Sequence, residues 1–343
     1  MQRILVTGAA GFIGFHVSKK LLDNGYQVFG LDSLSNYYDV QLKETRNDIL
    51  GKYSNFRFER GLIEDSTCIS SVFKDFKPDG VIHLAAQAGV RYSLDFPSSY
   101  VDSNLLGTFS ILEAPKKYGV EHLLMASTSS VYGGNSKMPY KEIDKCDMPM
   151  SFYAATKKAN ESMSHSYSHI YSIPVTCLRF FTVYGPWGRP DMALFKFTKA
   201  ILENRPIDIF NKGEMVRDFT YVEDLSIAIT KLLPVIPQFG SFSKKISVDS
   251  ISEIAPWRVV NIASSNPQKL MRFIEMLEEF LGKKATKNFV EIQPGDVPKT
   301  EADISLLLEL TGFKPKTGLD IGIKNFVNWY RDYYLKSDQG IPR

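Results

Sequence analysis

The segment YAATK places two residues that can move a proton, Tyr153 and Lys157, four positions apart. On a helix, positions i and i+4 lie on one face, so both side chains can reach the same ligand. A phenol with a pKa near ~10 is a poor base at neutral pH, but a neighbouring cation stabilises the phenolate. The pair therefore predicts a tyrosine that removes a proton from an alcohol. For the isolated motif, the alternative is a pairing on the surface of a helix.

The residues that precede this pair favour the catalytic interpretation. The run HLLMASTSSVYG is typical of a buried strand that ends in three hydroxyl side chains, Thr128, Ser129 and Ser130. Open α/β sheets bind their ligands at the carboxyl ends of the strands. These hydroxyls are therefore expected on the ligand side, near Tyr153. Ordinary capping of a strand end is the alternative for at least one of them.

The stretch TGAAGFIG follows the first predicted strand and opens a predicted helix. In such a turn, the three glycines permit a tight bend, close approach of a pyrophosphate, and close packing of helix on strand. The glycines are Gly8, Gly11 and Gly14. Amide N–H groups at the helix start, at Phe12 and Ile13, are expected to bind the phosphates. A tight strand–helix turn without a ligand is the alternative for the glycine pattern alone.

An acidic residue identifies the dinucleotide that this turn is expected to bind. Asp32 ends the second predicted strand, 18 residues beyond Gly14. A carboxylate at this place accepts hydrogen bonds from both ribose hydroxyls and repels a 2′-phosphate. The sequence therefore favours NAD over NADP.

Short apolar runs alternate with amphipathic segments through the first half of the chain. The strand-like runs are RILVTG, QVFGLD, FRFERG, DGVIHLAA, HLLMAS and PVTCLRF. Strands separated by helices imply right-handed parallel crossovers, so we predict a Rossmann-type, doubly wound α/β fold. Residues 1–180, with about 219–262, are predicted to form the NAD-binding domain. Residues 181–218 and 263–343 are predicted to form a smaller α/β substrate-binding lobe.

The motifs together resemble one enzyme family. TGAAGFIG, HLAAQAGVRYS, STSSVYG, YAATK, LRFFTVYGPWGRPDM, RDFTYVEDL and PGDVPKTEAD cover nearly the whole chain. They resemble the extended short-chain dehydrogenase/reductase family and, within it, the UDP-glucuronate 4-epimerases. The TGxxGxxG and YxxxK elements occur in many nucleotide-sugar enzymes. The segments VYGPWGRPDMALF and AAQAGVRYS are narrower signals.

The resemblance implies a role for each matching residue. Tyr153 would be the base, and Lys157 would lower its pKa and hold the nicotinamide ribose. Thr128 would form a hydrogen bond with the sugar O4. The remaining substrate contacts implied are the diphosphate at Arg217, the sugar at Arg189, its carboxylate at Ser129, Ser130 and Thr182, and a contact of unassigned kind at Arg91.

The implied reaction is redox-neutral. Tyr153 would take the proton of the C4 hydroxyl as hydride passes to NAD, and the 4-keto sugar would turn and accept the hydride on its other face. This would convert UDP-glucuronate to UDP-galacturonate, a sugar donor for polysaccharide biosynthesis. UDP-glucose or UDP-N-acetylglucosamine is the alternative substrate, and a non-catalytic NAD-binding protein is a further alternative. A 4,6-dehydratase is disfavoured because Ser129 and Ser130 stand where it needs acidic residues.

Composition sets the remaining expectations. A net charge of +3, with 41 basic and 38 acidic residues interspersed, gives no footprint for nucleic acid. Three separated cysteines favour a reducing compartment and exclude a thiolate zinc site, so no metal is expected. No apolar run approaches the ~18 residues of a membrane span. We therefore expect a cytoplasmic enzyme without membrane partners, and the resemblance implies a homodimer.

Three positions depart from the expected pattern. Leu62 stands where relatives carry an aspartate that contacts adenine, with Glu64 or Asp65 as possible substitutes. Pro115 lies inside a helical pattern and predicts a kink or an early end near Ala114. The polar insertion 237–257 has no function that the sequence reveals.

Overall fold

The computed structural model describes residues 1–240 and 249–335 of the 343-residue chain. Its strands are β1 (Arg3–Thr7), β2 (Gln27–Asp32), β3 (Phe56–Arg60), β4 (Gly80–His83), β5 (His122–Thr128), β6 (Val175–Phe180), β7 (Thr182–Tyr184), β8 (Ile207–Phe210), β9 (Val216–Arg217), β10 (Phe219–Tyr221), β11 (Trp257–Ile262), β12 (Gln268–Lys269) and β13 (Lys287–Val290).

The α-helices are α1 (Phe12–Asp23), α2 (Val40–Gly51), α3 (Ser66–Phe76), α4 (Tyr92–Asp95), α5 (Pro97–Tyr100), α6 (Gly107–Tyr118), α7 (Phe152–Tyr171), α8 (Ala193–Leu202), α9 (Val222–Leu232), α10 (Leu270–Leu281), α11 (Ser305–Thr311) and α12 (Leu319–Tyr330). A π-helical segment, Val101–Leu106, joins α5 to α6, and another, Arg331–Leu335, follows α12. A short 3₁₀ helix, Ser129–Tyr132, follows β5 directly.

Seven parallel strands form the central sheet, in the order β3-β2-β1-β4-β5-β6-β11. The chain runs outward from β1 in one direction to β3, then returns to β4 and continues outward in the other direction. The strand order therefore reverses between β1 and β4, which is where open α/β sheets bind ligands. The predicted Rossmann-type, doubly wound parallel sheet is confirmed.

Alternate residues of the inner strands enter two separate apolar cores. In β1, Ile4 and Val6 face a core that contains α1 and α9, while Leu5 faces a core that contains α3 and α6. Both faces of the sheet are covered by helices, which explains why β4 and β5 are buried almost throughout. Successive side chains of a strand point to opposite faces of the sheet, so neighbouring residues of one strand contact helices on opposite faces.

A third apolar core lies in the C-terminal half. It joins α8, α10 and α12, and Phe273 stacks on Phe219 with ring centroids 4.9 Å apart. One segment departs from the predicted domain bounds: Ala302, Ile304 and Leu307 pack in the core of the sheet with α9, although they fall in the predicted 263–343 lobe. The domain bounds as a whole stay a prediction.

The sequence predicted a kink or an early helix end near Ala114, and the early end is wrong. Helix α6 continues through Pro115 to Tyr118, and Gly119 closes it by donating its N–H to the Pro115 carbonyl. The missing N–H of Pro115 costs one bond within the last turn. Burial of Leu112 and Ala114 in the core offsets this cost.

Residues 241–248 of the predicted insertion 237–257 lie outside the described residues. The described part after them packs on α7, because Ser252 meets His165 and the Ile254 carbonyl meets His169. A buried ion pair between Asp249 and Arg258 fixes the approach to β11. Across the described chain, no helix combines the length and apolar character that a membrane crossing requires.

Candidate active site

A cavity of about 1360 Å³ opens at the carboxyl ends of the central strands and extends into the C-terminal half. Every residue that the sequence proposed for the site lines it. These are Gly8, Gly11, Phe12, Ile13, Gly14, Asp32, Arg91, Thr128, Ser129, Ser130, Tyr153, Lys157, Thr182, Arg189 and Arg217. The fold therefore brings them together, whereas the role of each residue stays a prediction.

The glycine turn has the shape that a diphosphate requires. Gly8 has φ +74°, and a Cβ on Gly14 would lie 1.9 Å from the Gly8 carbonyl oxygen, so no side chain fits between turn and helix. Helix α1 has no side-chain cap, which leaves the N–H groups of its first turn, at Phe12 and Ile13, available to an anion. An open cradle of backbone donors at a helix N-terminus fits the phosphates of NAD.

Asp32 lies next to the glycine turn. Its carboxylate accepts the N–H of Ala10 at 3.0 Å and the N–H of Leu34 at 2.9 Å. These bonds fix the carboxylate between the glycine turn and the segment after β2. A carboxylate oxygen has more than one lone pair, so both oxygens can still accept a ribose hydroxyl.

Helix α7 positions the predicted base. Ser151 caps the helix by accepting the N–H of Ala154, which fixes the turn that contains Tyr153. Burial raises the pKa of Tyr153, and the hydrogen bond with Thr128 and the positive charge of Arg189 act in the opposite direction. The free phenol is thus protonated at neutral pH, and further positive charge is needed to stabilise its anion.

Lys157 lies one turn further along α7 and is almost fully buried. Its ammonium group donates to the carbonyl oxygen of Ala126 at 2.9 Å, and burial lowers its pKa to about 8. In this arrangement Lys157 is tied to β5. The groups that lower the pKa of Tyr153 are Thr128 and Arg189, so the predicted effect of Lys157 on Tyr153 stays a prediction.

Thr128 both caps a short helix and lies beside the predicted base. Its Oγ1 accepts the N–H of Ser130 and so caps the 3₁₀ helix, as the capping alternative anticipated. The same hydroxyl reaches Tyr153 and donates to the Ser130 hydroxyl at 3.2 Å. Thr128 therefore lies between the predicted base and the predicted donors to the sugar carboxylate.

A buried ionic network beneath the site fixes α7 against the sheet. Glu161 accepts two bonds of 2.9 Å from Arg179 of β6 and one of 2.6 Å from Ser127 of β5. Burial acts to raise the pKa of Glu161, but the charge of Arg179 together with the hydrogen bonds from Arg179 and Ser127 outweighs burial, and the pKa is lowered. Because Glu161 lies on the same helix as Tyr153 and Lys157, this network sets their distance from the strand ends.

Arg189 has its forked face occupied by a neighbour. Its Nε and terminal nitrogen both donate to Asp191, at 2.9 and 2.5 Å, and Tyr37 donates to the same carboxylate at 3.2 Å. Burial opposes the charge, but Asp191 raises the pKa of Arg189 above its ordinary value. Arg189 is therefore a permanent cation, and Asp191 occupies the edge of its guanidinium that is formed by Nε and one terminal nitrogen.

Two arginines meet at the other end of the cavity. Arg91 donates to Asp296 at 3.1 Å, and its guanidinium lies 4.1 Å from the ring centre of Phe210. Arg217 donates to the carbonyls of Val216 and Pro298, and burial lowers its pKa despite the nearby Asp296 charge. A pair of cations with a single carboxylate suits the diphosphate of a nucleotide.

Sequence reasoning missed several residues of the site. Asp191 and Asp296 complete the sites of Arg189 and Arg91. Both stand inside motifs already noted, RPDM and PGDVP, so their charge was the available signal. Lys43 also lines the cavity, and its ammonium donates to Ser35. No short motif marks that contact.

The end of the cavity where adenine is expected has Leu62 in place of the aspartate that relatives carry. Leu62 lines the cavity and is 52% exposed, and Glu64 lines the same end. Asp65 instead caps α3 by accepting the N–H groups of Thr67 and Cys68. Of the two substitutes considered, only Glu64 is thus placed to face a ligand. Across the described residues, no cluster of three or more His, Cys, Asp or Glu side chains could hold a metal ion.

The fold and the site define a class of enzyme. Residues 4–240 match the model of the NAD dependent epimerase/dehydratase family. The chain belongs to this family, which confirms the predicted family and its NAD cofactor.

Individual relatives cover essentially the whole chain. The "Probable UDP-glucuronate 4-epimerase" of Rhizobium meliloti (strain 1021) is 49% identical over 98% of this chain and 99% of its own. "Protein CapI" of Staphylococcus aureus is also 49% identical, over 98% of this chain and 100% of its own. The chain in the crystal structure of UDP-glucuronic acid 4-epimerase from Bacillus cereus, in complex with UDP-glucuronic acid and NAD, is 37% identical to this chain, with a TM-score of 0.85. That comparison covers 97% of this chain and 100% of the B. cereus chain.

Proposed function

We propose that this protein is an NAD-dependent UDP-sugar 4-epimerase that interconverts UDP-glucuronate and UDP-galacturonate. The observation that carries the proposal is its likeness, over almost the whole chain, to the R. meliloti and B. cereus proteins. The site supports it, because Tyr153, Thr128 and the glycine turn line one cavity.

The residues of the site can divide the chemistry among them. NAD, when bound, supplies a reversible hydride acceptor beside the sugar. Tyr153 takes and returns the proton of the C4 hydroxyl, and Thr128 orients that hydroxyl by a hydrogen bond with the sugar O4. Arg217 and Arg91 hold the diphosphate, so that the hexose can turn while the nucleotide stays bound.

The sugar carboxylate requires separate treatment, since a 4-keto glucuronate is a β-keto acid that can lose CO₂. Neutral hydroxyls at Ser129, Ser130 and Thr182 line the cavity and can solvate the carboxylate in more than one pose. Asp191 occupies one of the two bidentate edges of the Arg189 guanidinium, which restricts how Arg189 can clamp the sugar carboxylate. This arrangement favours return of the hydride over decarboxylation.

Incubation of the purified protein with UDP-glucuronate, followed by NMR of the sugar, tests the proposal. We expect UDP-galacturonate to form without added cofactor and without CO₂. Formation of a UDP-pentose with CO₂ would instead identify a decarboxylase. Tyr153→Phe should nearly abolish turnover while NAD stays bound. Tyr171→Phe, an exposed tyrosine of the same helix, is the control and should retain activity.

A second substrate is favoured by a specific comparison. The UDP-glucose 4-epimerase of Thermotoga maritima, solved with UDP-glucose, is 30% identical with a TM-score of 0.80, covering 96% of this chain and 99% of that chain. UDP-glucose and UDP-N-acetylglucosamine should therefore be run in parallel in the same NMR assay. A higher kcat/KM for either sugar than for UDP-glucuronate would reassign the substrate.

We also propose a homodimer, formed through the helical stretch 97–118 and helix α7. Apolar side chains on this surface are exposed, including Leu106 at 51%, Phe109 at 47% and Phe152 at 38%. Exposed apolar side chains grouped on neighbouring elements mark an interaction surface. The double variant Leu106→Glu, Phe109→Glu should sediment as a monomer, whereas Leu308→Glu, at another exposed leucine, should not change the mass. A wild-type protein that sediments as a monomer would exclude the dimer.

We further place the activity in the cytoplasm, as a supplier of UDP-galacturonate for polysaccharide biosynthesis. Three free cysteines, two of them buried, are compatible with a reducing compartment. Fractionation of the native cell, with activity assayed in each fraction, tests this placement.

A further inference from the structure

Arg46 of helix α2 joins two loops that belong to different parts of the site. Its side chain has no solvent exposure. One terminal nitrogen donates to the carbonyl of Ala10, inside the glycine turn, and to the hydroxyl of Tyr38, both at 2.9 Å. The other terminal nitrogen donates to the carbonyl of Trp187 at 2.5 Å, across 141 positions of sequence. Trp187 lies two residues before Arg189.

The charge of Arg46 is not neutralised by a carboxylate within the described residues. Its acceptors are two carbonyls and a phenol, and its buried Nε has no hydrogen-bond partner among the described residues. Its positive charge contributes to lowering the pKa of His16 to about 4 and of Lys43 to about 8, in both cases after burial as the main cause. An uncompensated buried cation is costly unless an anion comes close.

The glycine turn is where such an anion is expected. Ala10, which Arg46 contacts, lies between Gly8 and Gly11, and the uncapped start of α1 adds positive potential there. The diphosphate of a bound dinucleotide would therefore lie in the field of Arg46. Dinucleotide binding then stabilises the charge that the protein alone leaves uncompensated.

The loop of Trp187 is held in a constrained conformation from two sides. Trp187 has φ +62°, a left-handed backbone that non-glycine residues seldom adopt. Its ring packs against Phe15, Trp329 and Tyr333, while its carbonyl is turned to Arg46. Loss of the Arg46 bond would free this carbonyl and allow the loop to relax.

We propose that Arg46 is a positioning residue that couples the dinucleotide turn to the loop presenting Arg189, an inference that rests on the proposed function. Its charge strengthens dinucleotide binding, and its two-carbonyl bridge sets the place of Arg189 beside the sugar. Because coupling between two ligands is reciprocal, any effect of the bound dinucleotide on the affinity for the UDP-sugar is matched by an equal effect of the UDP-sugar on the affinity for the dinucleotide.

Two substitutions separate the charge from the bridge. Arg46→Lys keeps the charge but cannot span both carbonyls, and Arg46→Met removes both. Arg57→Met, at an exposed arginine paired with Asp75, is the matched control. For each protein, three quantities are measured: the dinucleotide released on denaturation, the Kd of UDP-glucuronate, and the Kd of UDP. Both Kd values are obtained by calorimetry at saturating NAD.

We expect Arg46→Met to lose dinucleotide by about tenfold or more, as removal of one charged partner predicts. Arg46→Lys should retain dinucleotide but bind UDP-glucuronate about tenfold more weakly, with the Kd of UDP unchanged. A merely structural role would shift the two Kd values together. Equal Kd values for wild type and Arg46→Lys, or a parallel loss for UDP, would overturn the proposed bridge.

Failure of the proposed function gives a different result. If the wild-type protein does not epimerise UDP-glucuronate, the Arg46 inference is decided by dinucleotide content. If Arg46→Met then retained as much dinucleotide as Arg57→Met, the Arg46 inference would be overturned. Loss of dinucleotide from Arg46→Met alone would support the inference. Because Arg46→Lys keeps the buried charge, it covers the case in which Arg46→Met does not fold.

Discussion

Replacement of Gly14 by alanine tests whether the first turn of the chain is built around a dinucleotide. An added Cβ would lie 1.9 Å from the carbonyl oxygen of Gly8 and 3.0 Å from Cα of Ala9, both of them backbone atoms. Non-bonded carbon contacts need about 3.5 Å, so the turn must shift by about 1.5 Å relative to α1. Gly8 resists this shift, because its N–H donates to the Leu31 carbonyl at 2.7 Å.

The displacement is large enough to remove hydrogen bonds to a phosphate. A bond of ~2.9 Å that lengthens by more than an ångström no longer counts as one. Loss of two bonds to a charged group, at about 1.5–3 kcal/mol each, weakens dinucleotide binding by about 10² to 10⁴. Overpacking adds a loss of about 1–3 kcal/mol in the free energy of unfolding.

The assay is the amount of NAD released when the purified protein is denatured, with far-UV circular dichroism as the check on folding. We expect Gly14→Ala to release less than a tenth of the wild-type amount. Gly11→Ala, where the added Cβ lies 3.0 Å from the Gly8 oxygen, should show a smaller loss. Gly51→Ala, at the end of α2 with nothing within 4 Å, is the control. Wild-type NAD content in a folded Gly14→Ala protein would refute the reasoning.

Three further perturbations follow from the contacts described. Thr128→Val removes a group that lowers the pKa of Tyr153, so the acidic limb of kcat/KM should move to higher pH, and an unchanged profile would contradict that contact. Burial raises the pKa of Glu142 to about 7, so the folded state keeps a proton that the unfolded chain loses above pH 4.5. The free energy of unfolding of the wild type should therefore fall, relative to Glu142→Gln, by up to about 3 kcal/mol as pH rises from 4.5 to 7, measured by urea titration. Arg258→Met leaves Asp249 buried without its partner and should cost about 3–5 kcal/mol in the same titration. Neither Arg258 nor Asp249 lines the cavity, so the KM of Arg258→Met should equal that of the wild type. A raised KM would show that the insertion affects the site.

The sequence predicted those features that local spacing controls. Short apolar runs separated by amphipathic segments identified the parallel strands, and the glycine spacing identified the turn before α1, since both signals are properties of short segments. The four-residue spacing of Tyr153 and Lys157 likewise placed both on one face of α7. Pro115 shows the limit of local rules, because packing of α6 kept the helix intact beyond it.

Only the tertiary structure decided which charges meet. Arg91 reaches Asp296 across 205 positions, and Arg46 reaches Trp187 across 141. No periodicity records such pairs, because the sheet order and the docking of the C-terminal lobe bring their loops together. The sequence by itself determined which residues can do chemistry. The fold determined which of those residues are tied to other protein groups, as Arg189 is to Asp191 and Thr128 is to Ser130, and which of them line the cavity. The physical reason is that electrostatic pairing depends on distance in space, and only the folded chain sets that distance.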